Sequence, residues 1–355
     1  MTTPCKLLRL PLIVIEEVVS NMDFLELFNL SLCSQKSQKL ISIMRKVPSI
    51  LIDVQINWDK KSVKACSAKN SDLIHFEWHF LECKKSGEPD RVIRKIGGME
   101  TDTRNPMPNR KFPGPVSYAP RNRLDLTINA AISHFLDTFH HCKISYLRIG
   151  FEGLCTQFRA SRAFKSIKSV ATLDMKSEMF GSIQEMKFLL SNVEVRERLR
   201  HKSALSLGTT IVDQLKCSKE VFCENCSWMR PETLWNIDCP FIYLYKTRFS
   251  GEDIQEFLRR WQVSVGEDKE KIEVVFINHP LGLSLDYGAL DARPWDPAVR
   301  PKDFPLRLRI HQDSEALHNT SFDCSRGMDI RRTDGRIGTI LRFTDTAIKF
   351  FVWPK

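Results

Sequence analysis

Long apolar runs are missing from this sequence, whose mean hydropathy is −0.26. A helix that crosses a membrane needs about 20 consecutive apolar residues, and no window of the chain supplies them. The first apolar run, Leu10 to Ile15, stops after six residues at Glu16 and Glu17, so it is too short for a secretory signal. We therefore expect no membrane segment and no export signal.

The short motifs of common enzymes are missing as well. The phosphate-binding patterns G-x-G-x-x-G and G-x-x-x-x-G-K-[ST] and the nucleophile motif G-x-S-x-G do not occur. The string HFEWH (His75 to His79) departs from the zinc motif H-E-x-x-H, because its glutamate comes one position late. On an extended strand these two histidines would stand about 13 Å apart, too far to share a metal. We expect no catalytic residues, no cofactor and no metal.

The eleven cysteines, without an export signal, predict free thiols in a reducing compartment, the cytoplasm or the nucleus. Cys223-x-x-Cys226, with Cys217 and Cys239, offers four thiolates, but structural zinc sites usually combine two close-spaced pairs and here only one pair is close. A redox Cys-x-x-Cys would open a helix after a strand, which the following residues do not clearly provide. Buried free cysteines are the interpretation that the pattern favours.

Helical spacing is what the N-terminus does contain. A first helix is predicted from Pro11, which suits an initial helical position, to Met22, with one apolar stripe: Leu10, Ile13, Val14, Val18 and Met22. Asp23 is the expected N-cap of a second helix that ends near Cys33, and Ser34 the N-cap of a third. Pro48 ends this region.

Apolar residues also lie outside these stripes, at Ile15, Leu25, Leu30 and Leu32. So small a unit buries little surface by itself, and spare apolar faces usually mark a contact surface. Two interpretations follow from periodicity: the helices bind a partner, or the rest of this chain covers them.

The same stretch resembles an F-box. The resemblance is carried by Leu10-Pro11, the apolar helix to Met22, Asp23 at the next cap, and the run LFNLSLCS (Leu27 to Ser34) followed by Lys36. It covers residues 7–48 and is strongest to the nematode family that carries a type-2 F-box-associated domain. The tryptophan that many F-boxes have after the basic residue is missing, since this chain continues with Ser37 and Gln38; the nematode type commonly lacks it.

This resemblance implies a non-catalytic substrate receptor of a ubiquitin ligase. The F-box would bind a Skp-family adaptor, and through it cullin and RING subunits, while the remaining domain would hold a protein substrate that the sequence does not identify. The residues expected to form the adaptor-binding hydrophobic set, some facing the adaptor and some facing one another, are Leu10, Pro11, Val14, Ile15, Val18, Leu25, Leu27, Phe28, Leu30 and Leu32. The alternatives are an interaction module independent of ubiquitin ligases and a nucleic-acid binder.

The nucleic-acid alternative depends on residues 84–123, which hold ten Lys/Arg against four Asp/Glu in a chain of net charge +10. Six prolines and four glycines in the stretch predict a long solvated loop. Binding of single strands would need interleaved aromatic residues, and only Phe112 and Tyr118 are present. A basic balance by itself indicates only non-specific attraction.

Short apolar strands and helices alternate in the remainder. Residues 50–56 and 73–80 alternate like half-buried strands, and an amphipathic helix is expected from Ile128 to Phe139. Further strands are predicted around residues 147–149, 173–175, 205–207, 221–223, 242–244 and 274–276. Helices are predicted around residues 183–190, 211–215, 233–237 and 254–261, the last capped by Ser250 and Asp253.

This order predicts an α+β or α/β fold: a three-helix F-box at 1–48, a segment of strands, basic loop and helix at 49–145, and an F-box-associated domain at 146–355. Loose repetition of L-x-L strands suggests an irregular leucine-rich-repeat-like domain, and an ordinary open α/β sheet remains the alternative. Residues 169–278 resemble the type-2 F-box-associated region at apolar positions that include Leu234, Ile242 and Trp261. Asp334-Gly335 predicts a C-terminal β-hairpin.

Overall fold

The computed structural model describes residues 7–44, 50–56, 60–69, 74–82, 91–96, 99–104, 114–139, 142–150, 167–177, 183–203, 215, 217–264, 271–279, 284–305 and 321–354. The chain divides into two compact units, the first comprising residues 1–176 with 192–194 and the second comprising 177–191 with 195–355. The predicted boundaries at residues 48 and 145 both fall inside the first unit.

Three short helices open the first unit, and a longer one comes later: α1 (Leu12–Ser20), α2 (Phe24–Cys33), α3 (Gln35–Ile43) and α4 (Arg121–Thr138). The Asp23 carboxylate accepts a bond from the Glu26 N–H (2.8 Å), and the Glu26 carboxylate accepts one from the Asp23 N–H (2.8 Å). Ser34 caps α3 by accepting from the Ser37 N–H (3.0 Å). Both predicted N-caps are therefore confirmed, and they fix where α2 and α3 begin.

The sheet of the first unit contains eight described strands: β1 (Ile50–Ile56), β2 (Lys61–Ser67), β3 (Ile74–Glu82), β4 (Arg91–Ile96), β5 (Met99–Arg104), β6 (Val116–Ala119), β7 (Lys143–Gly150) and β8 (Ser169–Ser177). Their order is β8-β7-β1-β2-β3-β6-β5-β4. Apolar residues alternate along β1 and β3, so that Ile52, Val54, Phe76 and Trp78 are buried, as the period of two predicts. Helix α4 contacts β3, β4, β5 and β6.

The prediction of one long solvated loop over residues 84–123 is wrong for the described parts of that stretch, while residues 84–90, 97–98 and 105–113 lie outside the described residues. Residues 91–96 and 99–104 form β4 and β5, which pair antiparallel from Arg91↔Arg104 to Ile96↔Met99. β5 pairs in turn with β6, and α4 begins at Arg121. Gly97 and Gly98 lie outside the described residues, but in sequence they separate the two strands, and a glycine pair in that position is a hairpin signal.

The second unit begins with four parallel strands in chain order: β9 (Glu194–Ser203), β10 (Glu220–Cys223), β11 (Phe241–Leu244) and β12 (Val274–Asn278). Its described helices are α5 (Ile183–Asn192), α6 (Pro231–Trp235) and α7 (Gly251–Val263). The Ser250–Asp253 capping box starts α7, whose stripe of Ile254, Phe257, Leu258 and Trp261 is buried as predicted.

Antiparallel strands complete the second unit: β13 (Arg293–Pro294), β14 (Asp303–Pro305), β15 (Ser321–Asp323), β16 (Met328–Arg331), β17 (Ile337–Thr344) and β18 (Ala347–Val352). β18 pairs with β12 and with β17, and β17 pairs with β16 across Gly335, whose φ of 89° is a conformation that favours glycine. Phe304, Phe322, Phe351 and Trp353 pack together in the core of this unit.

Most strands predicted by alternation or short apolar runs are confirmed, at 50–56, 147–149, 173–175, 221–223, 242–244 and 274–276. The predicted strand at 205–207 and most of the predicted helix at 211–215 lie outside the described residues. Strand β9 was not predicted, because its seven charged or histidine side chains among ten residues (EVRERLRHKS) hide the pattern of Val195 and Leu199.

Candidate functional site

Helix α1 leaves most of its apolar side chains in solvent. Ile15 and Val19, four residues apart, are buried, at 4% and 2% exposure. The other apolar side chains of the helix are exposed: Leu12 at 55%, Ile13 at 76%, Val14 at 40% and Val18 at 37%. Exposed apolar residues scattered singly need no explanation, but four within seven positions of one helix form a candidate contact surface. We call Leu12, Ile13, Val14 and Val18 the α1 surface.

Helix α2 turns its apolar side inward. Phe24, Leu27 and Phe28 are buried, and the two phenylalanine rings pack against rings of β3 and α4. The Phe28 ring lies 4.8 Å from the Phe76 ring and 5.0 Å from the Phe135 ring. Burial of such side chains stabilises by roughly 1.5–3 kcal/mol each. The chain itself therefore covers α2.

Phe24 and Trp78 extend this aromatic cluster. The Phe24 ring lies 5.5 Å from Phe76 and 4.8 Å from Phe139, and the Trp78 ring meets Phe28 edge-on at 5.1 Å. Offset and edge-on pairs at these distances add about 0.5–1.5 kcal/mol beyond the area they bury.

Side-chain hydrogen bonds also connect α2 and α3 to α4 and β4. The Ser31 hydroxyl donates to the Phe28 carbonyl (2.6 Å) and so accepts from Nε2 of His134 in α4 (2.8 Å). Gln38 of α3 donates to the Thr138 hydroxyl (3.1 Å), and Arg94 of β4 donates to the Asn29 side chain of α2 (3.0 Å). Burial lowers the pKa of His134 to about 4, because a charged imidazole loses its hydration there.

The ten residues of the predicted adaptor-binding set fall into three groups by exposure. Pro11, Val14 and Val18 are exposed; Leu10, Leu25, Leu30 and Leu32 are half-buried; Ile15, Leu27 and Phe28 are buried. The predicted adaptor-binding set did not include the exposed Leu12 and Ile13. It also did not include Ile43 at the end of α3, which is 61% exposed. Leu12 and Ile13 lie in the same apolar run as Val14, Leu10 to Ile15, so the sequence contained a signal that could have identified them.

The described part of the basic region, residues 91–96, 99–104 and 114–123, does not present the exposed aromatic surface that a single strand of nucleic acid needs. Tyr118 is half-buried in β6, and Phe112 lies outside the described residues. Arg94 is engaged with α2. Base stacking requires exposed aromatic rings, so the described part of residues 84–123 gives this alternative no further support.

The four cysteines considered for zinc do not share one thiol chemistry. Burial raises the pKa of Cys217 to about 12 and raises that of Cys239 further. Cys223, at the end of β10, instead has Nδ1 of His201 3.3 Å from its sulfur. No group of three or more His, Cys, Asp or Glu able to hold a metal occurs among the described residues. His201 was missed because it lies on the unpredicted strand β9.

The second unit contains a cavity of about 420 Å³. Its wall is partly apolar, from Ile272, Phe304 and Trp353, and partly charged, from Lys271, Glu273 and Arg336. Mixed walls of this kind can orient a ligand while burying its apolar part.

Comparison with known proteins identifies the N-terminal segment: residues 7–48 match the F-box domain family. Over its full length the chain is similar to proteins of Caenorhabditis elegans. It is 20% identical to "Uncharacterized protein F59B2.8", with all of this chain and 79% of that protein aligned. It is 22% identical to "Uncharacterized protein F54H12.5", with 99% and 94% aligned. No solved structure matches the chain, and no described helix is both long and apolar enough to cross a membrane.

Proposed function

We propose that this chain is a substrate-recognition subunit of a Skp–cullin–F-box ubiquitin ligase. The observation that carries the proposal is the exposed α1 surface within a segment that matches the F-box domain. F-box domains generally bind Skp-family adaptors, and F-box proteins are generally non-catalytic. The adaptor would link the chain to the cullin and RING subunits. The chain itself would promote ubiquitylation by holding the substrate near the ubiquitin-conjugating enzyme.

In this proposal the predicted hydrophobic set divides by position. Pro11, Val14 and Val18, joined by Leu12, Ile13 and Ile43, contact the adaptor. The half-buried Leu10, Leu25, Leu30 and Leu32 line the margin of that contact. Ile15, Leu27 and Phe28 hold the helices on the rest of the first unit, since their side chains are buried there.

In the same proposal, the second unit binds the substrate. Four parallel strands in chain order, β9 to β12, with α6 between β10 and β11 and α7 between β11 and β12, support a leucine-rich-repeat-like, type-2 F-box-associated domain that ends in a C-terminal hairpin. The mixed cavity wall near Trp353 is a suitable place for one substrate side chain. A ligase of this kind acts in the cytoplasm or nucleus, the compartments that free cysteines favour.

Co-expression with a panel of Skp-family adaptors, followed by size-exclusion chromatography, tests the proposal. The test variant is Val14→Asp with Val18→Asp, which places two charges in the α1 surface. We expect the complex to weaken by more than about a hundredfold, because two apolar contacts of roughly 1.5 kcal/mol or more are lost and charge is desolvated.

The matched control is Val263→Asp, the same substitution at a 66% exposed position at the end of α7. It should leave the complex intact. Failure of the unsubstituted chain to bind any adaptor, or equal loss in both variants, would contradict the proposal and favour an interaction module that works without a ubiquitin ligase.

A further inference from the structure

Cys223, Cys226 and His201 form a buried cluster that the proposed function does not use. Their exposed fractions are 2%, 0% and 2%. Nδ1 of His201 lies 3.3 Å from the Cys223 sulfur, and the Cys226 thiol donates a hydrogen bond to the Cys223 carbonyl (3.4 Å). Nε2 of His201 has no hydrogen-bond partner among the described residues, so the polar contact of this ring is with the thiol.

The backbone holds the two cysteines in place. Cys223 ends β10, and its carbonyl accepts from the Tyr245 N–H (2.9 Å). The Cys226 N–H donates to the Tyr245 carbonyl (2.9 Å), and the Met229 N–H donates to the Cys226 carbonyl (2.9 Å). The turn between the cysteines is therefore anchored to the chain that follows β11, which fixes the backbone position of both cysteines.

We propose that Cys223 and Cys226 form a dithiol that hydrogen peroxide oxidises to a disulfide. In this reaction Cys223 is the attacking sulfur, Cys226 is the resolving sulfur, and His201 accepts the proton of the Cys223 thiol. The Cys-x-x-Cys spacing places both cysteines within one turn, and His201 supplies the nearby base that a reactive thiol needs.

The difference in acidity between the two thiols agrees with this assignment. Although burial opposes a charged sulfur, the neighbouring side chains of Cys226 and His201 lower the pKa of Cys223. Burial and the neighbouring Cys223 raise the pKa of Cys226. The thiolate is the nucleophile in such chemistry, so attack begins at Cys223.

The chemistry balances with hydrogen peroxide as the oxidant. The Cys223 thiolate attacks one peroxide oxygen, the O–O bond breaks, and the leaving hydroxide takes the proton held on His201 to become water. The Cys226 sulfur then attacks the resulting sulfenic acid, an S–S bond forms, and the second hydroxide leaves with the Cys226 proton as water. Two thiols lose two electrons in total, and one peroxide becomes two waters. Because both sulfurs are buried, the proposal requires an oxidant about the size of water.

The full-length chain contains its own controls. Cys217 and Cys239 are also buried in the second unit, at 5% and 0% exposure, but burial raises the pKa of both thiols. Cys33 is exposed in the first unit. Oxidation through this cluster should affect Cys223 and Cys226 alone among the buried thiols named here, whereas oxidation through unfolding should affect all four.

The experiment treats the folded chain with hydrogen peroxide, stops the reaction with catalase, blocks free thiols with N-ethylmaleimide in denaturant, and maps the peptides by mass spectrometry. We expect a Cys223–Cys226 disulfide while Cys217 and Cys239 remain alkylated. His201→Gln should slow disulfide formation by at least about tenfold. In Cys226→Ser, dimedone should label Cys223 as a sulfenic acid.

Two results would overturn the proposal. One is equal oxidation of Cys217, Cys239, Cys223 and Cys226, which would assign the reaction to unfolded chains. The other is the absence of the disulfide in the unsubstituted chain at peroxide doses that oxidise Cys33. The comparison of thiols within the unsubstituted chain stands even if a variant folds poorly.

Discussion

At the scale of single residues, solvent exposure distinguishes apolar residues that pack in the core from apolar residues that form a contact surface. Hydrophobicity alone does not make this distinction. Leu27 and Val14 are both apolar residues of short N-terminal helices, yet Leu27 is fully buried and Val14 is 40% exposed. The difference arises from neighbours far along the chain, because Phe76 and Phe135 form the surface on which α2 rests. Local periodicity predicts which residues share a helix face, but it does not predict which distant element covers that face.

Some residues were predictable for a local reason. Asp23, Ser34 and Ser250 act as N-caps within three residues of their partners, so the sequence contains the whole interaction. His134 and His201 were not predictable as buried hydrogen-bonding groups, since their partners, Ser31 and Cys223, lie on other elements.

His134 predicts a pH dependence of stability. Its pKa is about 4 in the folded chain, against an ordinary 6.5, so below pH 6.5 the unfolded chain binds a proton that the folded chain does not. The free energy of unfolding should therefore fall between pH 6.5 and 4, by up to about 3 kcal/mol, and this contribution should not change further below pH 4.

Urea titrations monitored by circular dichroism at several pH values would measure this effect. His134→Gln is the comparison, because glutamine can still donate to Ser31 but does not titrate. We expect a shallower loss of stability over this pH range in the variant, while the carboxylates affect both chains alike. Parallel pH profiles for the two chains would show that His134 is not responsible.

At the scale of elements, the basic region shows why composition misleads. Prolines, glycines and positive charges are typical of loops, but β4 and β5 satisfy their backbone groups by pairing with each other. Exposed Val92 and Ile93 and buried Ile96 lie on the same short strand. Because long-range pairing decides whether a marginal segment becomes a strand, composition gave the wrong answer here.

Two isoleucines on β4 test this correction. Ile96 is fully buried and Ile93 is 72% exposed. Ile96→Asp should destabilise the chain by at least about 3 kcal/mol, because a carboxylate would be buried without a partner. Ile93→Asp should stay within about 0.5 kcal/mol of the unsubstituted chain.

Chemical denaturation of the two β4 variants would measure both values. Equal, small effects would restore the solvated-loop interpretation, in which neither side chain is buried. Equal, large effects would mean that β4 is covered on both faces.

At the scale of the whole molecule, the N-terminal segment is both a recognisable motif and part of a larger fold. Its residues match the F-box domain, while α2 and α3 are bonded to α4 and β4 of the same compact unit. The alternation of strands and helices predicted an α/β chain, and parallel strands β9 to β12 agree with that order. The division into units was not predictable, because it depends on contacts between residues far apart in sequence.

The two initial interpretations of the N-terminal helices therefore need not exclude each other. The chain covers α2 with its own β3 and α4, and it leaves the α1 surface open. In the proposed function, self-coverage holds the helices in position and the adaptor binds the side that remains.

Hydrogen–deuterium exchange of the full-length chain, alone and with a Skp-family adaptor, tests this account most directly. A nine-residue helix such as α1 opens readily, so adaptor binding should slow exchange at residues 12–20 and near Ile43. The account predicts little change in β9 to β12. Protection confined to the second unit, or none at α1 in a stable complex, would contradict it.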